Sequence, residues 1–173
     1  MSEQLQQVLQ KQHLQQTNLA EPIEKVDNDI IQLVGFVIGD EEYAIPILNI
    51  QEIIKPMEYT RVPSVPDYVL GVFNMRGNVM PLIDLARLFN LGSSEISPHT
   101  RFLVLRKENE SSIAGYAGFV IDKLTEAIKI SRSQIDPPPQ TLVSNKGMIY
   151  GIGKRDDSIL TILKAEALLK RNF

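Results

Sequence analysis

Between Ile30 and Phe89 the apolar positions fall in short runs broken by polar turns. Ile30 to Ile38 reads as a strand, Gly39-Asp40-Glu41-Glu42 as a turn, and Tyr43 to Ile47 as the returning strand, with Pro46 at an edge or strand end. Ile47, Ile50, Ile53 and Ile54 then recur at a spacing that predicts a short helix or turn, leaving Asn49, Gln51 and Glu52 on another face. Lys55 to Val62 is expected to be extended, because Pro56 and Pro63 resist helix. Leu70 to Ile83 reads as a hairpin whose polar turn holds Asn74, Met75, Arg76, Gly77 and Asn78, with Gly77 supplying the positive φ. Asp84 follows as the cap of a short helix carrying Leu85, Leu88 and Phe89.

The second half predicts the same kinds of element. Thr100 to Leu105, Ile113 to Ile121 and Leu124 to Ile130 read as strands, Asp136 to Pro139 as an extended stretch, and Tyr150 to Leu163 as a hairpin turning at Lys154 to Ser158. Lys164 to Lys170 closes as a helix. Two ungapped self-matches tie the halves together. Gly71-Val72 overlays Gly151-Ile152, which sets Val79, Leu82 and Ile83 opposite Ile159, Ile162 and Leu163. Tyr43 to Ile54 overlays Ala117 to Ile128 and sets Glu52 opposite Glu126. Their common order predicts a duplicated small β unit, with Gly92 to Pro98 at the boundary between copies. About ten short strands with brief helices fit two five-stranded barrels and do not fit alternating βαβ units.

Composition narrows the chemistry. Of 173 residues, 43% are apolar, enough for a buried core. Residues 1–29 are Gln-rich, lack aromatics and read as a flexible tail, in which Leu5, Val8 and Leu9 have the spacing of a turn or two of helix. Beyond that tail the remaining 16 basic and 16 acidic residues balance, with no basic stripe for nucleic acid. The absence of cysteine excludes disulfides, thiolate metal sites and a cysteine nucleophile. No signal peptide or membrane-length apolar run is present, which predicts a cytoplasmic protein.

Catalytic constellations are missing. His13 and His99 lack zinc-site spacing, and Ser64, Ser112 and Ser144 lack a hydrolase elbow. Asp67, Asp84, Asp122 and Asp136 sit at element ends, where carboxylates cap backbone N–H groups. Gly151-x-Gly153 lacks the Gly-Lys-Ser/Thr of a phosphate loop. Arg76 has two readings: a solvated hairpin tip, or a planar charged fork aimed at a partner or a neighbouring carboxylate. Ile47, Ile50 and Ile54 are core residues by default; an exposed subset beside Glu52 would instead receive an amphipathic helix.

Gly39-Asp-Glu-Glu-Tyr-Ala-Ile-Pro-Ile, then Gln51-Glu52-Ile53, Leu70-Gly71-Val72-x-Asn74-x-Arg76-Gly77 and Pro81-Leu82-Ile83-Asp84-Leu85, closely resemble the CheW family of bacterial chemotaxis coupling proteins. The resemblance spans roughly residues 31 to 170. It implies a mainly β domain over residues 30–170, made of two intertwined SH3-like five-stranded barrels around a shared apolar interface. It implies a noncatalytic adaptor without cofactor or metal, which links the cytoplasmic tip of chemoreceptors to the regulatory domain of the histidine kinase CheA. Neither nucleic-acid binding nor direct membrane insertion is implied; the adaptor would be cytoplasmic and recruited to membrane-associated receptor arrays.

By position in the motifs, Ile47, Ile50 and Glu52 would face the receptor, with Arg76 supporting the turn and Asn74 and Gly77 shaping it. Met57, Tyr59 and Arg61 would face the kinase from the first barrel. The tail is longer than the family pattern, and Thr141 and Leu142 stand where some relatives place an aromatic, so no second kinase contact is carried over. With Phe173 as the last residue, the expectation is a stand-alone coupler and not one fused to a receiver domain as in the related CheV proteins. A small-ligand site in the cleft between barrels is the alternative, and an enzyme is a more distant one.

Overall fold

Strands that are apolar at successive positions need burial on both faces, and the architecture supplies it. The computed structural model describes residues 3, 4, 6, 7, 29–109, 112–140, 147–155 and 157–170. Leu5, Val8 and Leu9 of the tail, and Thr141 and Leu142, lie outside the described residues. The elements are β1 (Ile30–Ile38), β2 (Glu41–Pro46), β3 (Ile50–Ile54), β4 (Val69–Met75), β5 (Asn78–Asp84), α1 (Leu85–Leu88) and β6 (Arg101–Leu105). They continue with β7 (Ala117–Ile121), β8 (Lys123–Ser131), β9 (Ile135–Asp136), β10 (Ile149–Arg155), β11 (Ser158–Leu163) and α2 (Ala165–Leu169).

Two sheets form, in strand orders β8-β1-β2-β11-β10-β9 and β3-β6-β7-β5-β4. Each curls into a small SH3-like barrel, named below for β1 and for β6. The sequence copies are β1 to β5 and β6 to β11, yet neither copy is a barrel. The β1 barrel takes the β1–β2 hairpin from the first copy and β8 to β11 from the second, whereas the β6 barrel takes the β6–β7 pair from the second copy and β3 to β5 from the first. Parallel pairings of β11 with β2 and of β5 with β7 stitch the exchange. The Gly92 to Pro98 linker therefore separates the copies, while the barrels interlock across it.

Alternation along each strand divides its side chains between two cores. In the β6 barrel, Phe73, Met80, Leu82, Phe102, Val104 and Val120 point inward. In the β1 barrel the interior is Leu33, Ala44, Ile128, Ile130, Leu160 and Ile162. The intervening residues of the same strands, including Phe36, Ile45, Ile83, Leu103 and Phe119, build a third core between the barrels. The shared apolar interface expected from the resemblance is thus the face that makes β6 from Phe102 onward, and all of β7, apolar at successive positions.

Several local expectations change. Ile47–Asn49 is a single 3-10 turn, and Ile50 to Ile54 is strand. A register shift between Ile50 and Glu52 disturbs the alternation there, which is why the isoleucine spacing imitates a helix. Ile113–Gly115 is likewise a 3-10 turn ahead of β7. The two-residue β9 brings the strand count among the described residues to eleven. Asp84 caps α1 as expected: its carboxylate accepts from Ala86 N–H at 3.0 Å and from Ser94 Oγ at 2.8 Å, tying down the linker as well.

Gly71 and Gly151 hold equivalent places where a neighbouring segment crosses the hairpin. Thr60 exchanges two 2.8 Å backbone hydrogen bonds with Val72, and Asp136 pairs with Ile152. A Cβ on Gly71 would run into the Thr60 carbonyl oxygen, and φ there is +154°. At Gly151 a Cβ would lie 2.7 Å from the Asp136 carbonyl oxygen. Gly71→Ala is expected to cost roughly 2–3 kcal/mol, because rigid backbone must move to admit the methyl group. Urea denaturation checks this; a loss below about 0.5 kcal/mol would show that the crossing segment yields freely.

Between the barrels, Tyr43 stacks on Phe36 at 6.1 Å and on Phe89 at 5.5 Å, measured between ring centroids. Burial, and then the 2.5 Å hydrogen bond that its hydroxyl donates to Glu41, raise the Tyr43 pKa well above its ordinary value. The unfolded chain loses this proton near pH 10 while the folded chain keeps it. Stability should therefore fall as pH rises above about 10, and Tyr43→Phe should flatten that fall. Thermal unfolding across pH 9 to 11 is the measurement; parallel profiles for both proteins would exclude Tyr43 as the source.

Candidate functional site

The β4–β5 turn contains two positive-φ residues in succession, Arg76 at +53° and Gly77 at +83°. That pair makes a two-residue hairpin turn of the type matched to strand twist. Asn74 holds it by accepting the Gly77 N–H at 2.8 Å through its side-chain oxygen. The turn aims Arg76 back across the barrel opening. Its guanidinium donates to both oxygens of Glu52, at 2.7 and 3.0 Å. Glu52 lies on β3 and the turn ends β4, so the clamp joins the two edge strands of the sheet. Of the two readings of Arg76, the carboxylate-facing one describes its place.

The other barrel repeats the device. Arg155, at the end of β10, pairs with Glu126 on β8 and stands 3.6 Å from Glu42. β8 is an edge strand and β10 lies next to the opposite edge, while Glu42 belongs to the central strand β2. Glu126 is the residue that the self-match sets opposite Glu52, so that pairing has a physical basis: each acid latches a barrel to its hairpin. Arg155 escapes a motif search because it belongs to strand β10 and not to an Arg-Gly turn.

Ile47 and Leu48 stand exposed at 41% and 62% on the 3-10 turn before β3. Together with Ile30, Ile31 and Pro46 they line an open groove of about 450 Å³, whose charged lining residues are Lys129 and Arg132. Leu48, Ile31, Lys129 and Arg132 were missed in the sequence because β1, the 3-10 turn after β2, β8 and the 3-10 turn after β8 contribute them separately. Ile50 differs from Ile47: it is half-buried and packs against the core between the barrels. The expected receptor-facing set is therefore split, with Glu52 clamped to Arg76, Ile47 in the groove and Ile50 supporting the strand between them.

Met57 and Tyr59 line a shallow open recess with Pro56, Glu58 and Ile96, the last 68% exposed. Tyr59 also packs against the β6-barrel interior, and Arg61 is exposed beyond the recess. Apolar side chains pack the core between the barrels, and at its edge Tyr43, Phe89 and Ile149 line an open recess of about 740 Å³ with Asp40, Glu41 and Glu42. Among the described residues no group of His, Asp or Glu could hold a metal ion, and no helix is long and apolar enough to cross a membrane.

Two interlocked barrels with an exposed apolar groove give the architecture of a scaffold protein, and comparison with known proteins assigns its setting to chemotaxis. The chain belongs to the CheW-like domain family, whose model matches residues 32–173. It is 54% identical over 147 residues to the chemotaxis protein CheW of Helicobacter pylori, covering 85% of this chain and 86% of that one. Identity to the Bacillus subtilis chemotaxis protein CheW is 30% over 141 residues, covering 81% and 87%. The crystal structure of the scaffolding protein TtCheW from Thermoanaerobacter tengcongensis superimposes with a TM-score of 0.72 at 28% identity, covering 82% of this chain and 88% of that one.

Proposed function

We propose that this protein couples chemoreceptors to the histidine kinase CheA at membrane-associated arrays on the cytoplasmic side. The observation that carries the reading is the exposed Ile47–Leu48 groove, next to a strand whose Glu52 is latched by Arg76. An amphipathic receptor helix would lay its apolar stripe against that groove, and the clamp would hold the β4–β5 hairpin in register beside it. The regulatory domain of the kinase would dock on the β6 barrel at Met57, Tyr59 and Arg61. No bond is made or broken by the adaptor. It acts by holding both partners in one assembly, where a small receptor rearrangement changes the relative stability of kinase states.

Reconstitution with a receptor signalling fragment and CheA tests this, reading co-sedimentation and kinase autophosphorylation with and without the protein. A ternary complex with raised kinase activity is expected. Binding to neither of two competent partners would overturn the reading.

A further inference from the structure

The groove beside Ile47 lies where the N-terminal tail joins the fold. Asp29 is fixed at its rim: its carbonyl accepts from Arg132 N–H at 2.8 Å, and its carboxylate accepts from Ser131 Oγ at 2.9 Å. Ile30, the next residue, lines the groove. The tail therefore leaves the barrel at the mouth of an apolar surface whose charged lining residues, Lys129 and Arg132, are both basic. The tail segment closest to that point, residues 19–28, carries Leu19, Ile23 and Val26 among Glu21, Glu24 and Asp27, with Lys25 its single base. Apolar and acidic side chains meet an apolar and basic groove.

We propose that residues 19–28 fold back into this groove, placing Ile23 and Val26 on its apolar floor and Glu24 and Asp27 toward Lys129 and Arg132. Six residue steps lead from Ile23 to the anchor at Asp29, a reach of up to about 20 Å in extended chain. A tether this short gives an effective concentration in the millimolar range, so a contact too weak to detect between separate molecules would still be substantially occupied. If the groove receives a receptor helix, as the functional reading above holds, the tail is a built-in competitor for that face. Receptor binding would then carry the cost of displacing it.

Full-length protein and two full-length variants, Ile23→Ser/Val26→Ser and Glu24→Lys/Asp27→Lys, test the proposal first without any partner. Methyl resonances of Ile31, Ile47 and Leu48 are expected to move in both variants, while those of Val79 and Ile159, exposed on other strands, stay in place. Unmoved groove methyls would overturn the proposal whatever the receptor does. Shifts that depend on protein concentration would seat the tail in a second copy's groove and overturn the intrachain assignment.

Titration with a receptor signalling fragment comes second, with binding expected to tighten about three- to tenfold in the variants as the competitor is lost. Groove methyls that move in a protein binding no receptor would leave the tail contact standing and sink the receptor reading alone. Moved methyls with unchanged receptor affinity would overturn the competition.

Discussion

Phe119→Ala is expected to lower stability by about 3–5 kcal/mol, a large share of the 5–15 kcal/mol typical of folded proteins. Phe119 has no exposed surface and sits on β7, which pairs with β6 on one side and β5 on the other. Its ring belongs to the core between the barrels, so truncation opens a cavity that neither barrel can close by itself. Because strands of both sequence copies meet in each sheet, the two barrels should lose stability together in one transition. Urea unfolding followed by probes in each barrel checks both statements. Separate midpoints would mean that the barrels fold independently, and a loss under about 1 kcal/mol would mean that the surroundings collapse onto the cavity. Val79→Ala, at a position 64% exposed, is the near-neutral control.

Reversal of either clamp residue, by Glu52→Arg or Arg76→Glu, is expected to reduce kinase activation by tenfold or more while leaving the protein folded. Arg76 is 75% exposed and Glu52 26% exposed at the side chain, so the ion pair contributes at most about 1 kcal/mol to stability. Its value lies in geometry: a bidentate fork fixes the hairpin against the edge strand β3, and like charges at that distance would push the two apart. The double variant Glu52→Arg/Arg76→Glu restores opposite charges and should recover coupling to within a few-fold. Failure of the pair to recover, with both single variants inactive, would show that a partner reads one of these charges directly. Glu126→Arg disturbs the corresponding latch of the other barrel and should leave receptor binding intact. Normal coupling by the folded single variants would remove this clamp from the site.

Much of this was legible before any coordinates. Asn74 and Gly77 announced the turn and Asp84 announced the cap of α1; the self-match paired Glu52 with Glu126 without showing that each binds an arginine. Each depends on a few neighbouring residues or on a repeat that can be read by eye. The isoleucines of 47–54 misled for an equally local reason: a bulge puts apolar residues at helix-like spacing within an extended strand. Leu48, Lys129 and Arg132 were invisible as a set, since nothing in the turn after β2 signals that the end of β8 and the turn after it lie across the groove.

By itself the sequence determined the short strands, their turns, the duplication, the absence of catalytic constellations and the family resemblance. These follow from backbone preference, side-chain alternation and residue chemistry, which act over a few residues at a time. Only the tertiary structure decided that the copies exchange strands, that β6 and β7 face two cores, and that Ile47 opens to a groove while Ile50 supports the strand beneath. Partner choice among strands is a global property. Alternation states that a strand has two faces to bury, and only the simultaneous packing of all of them selects what lies against each.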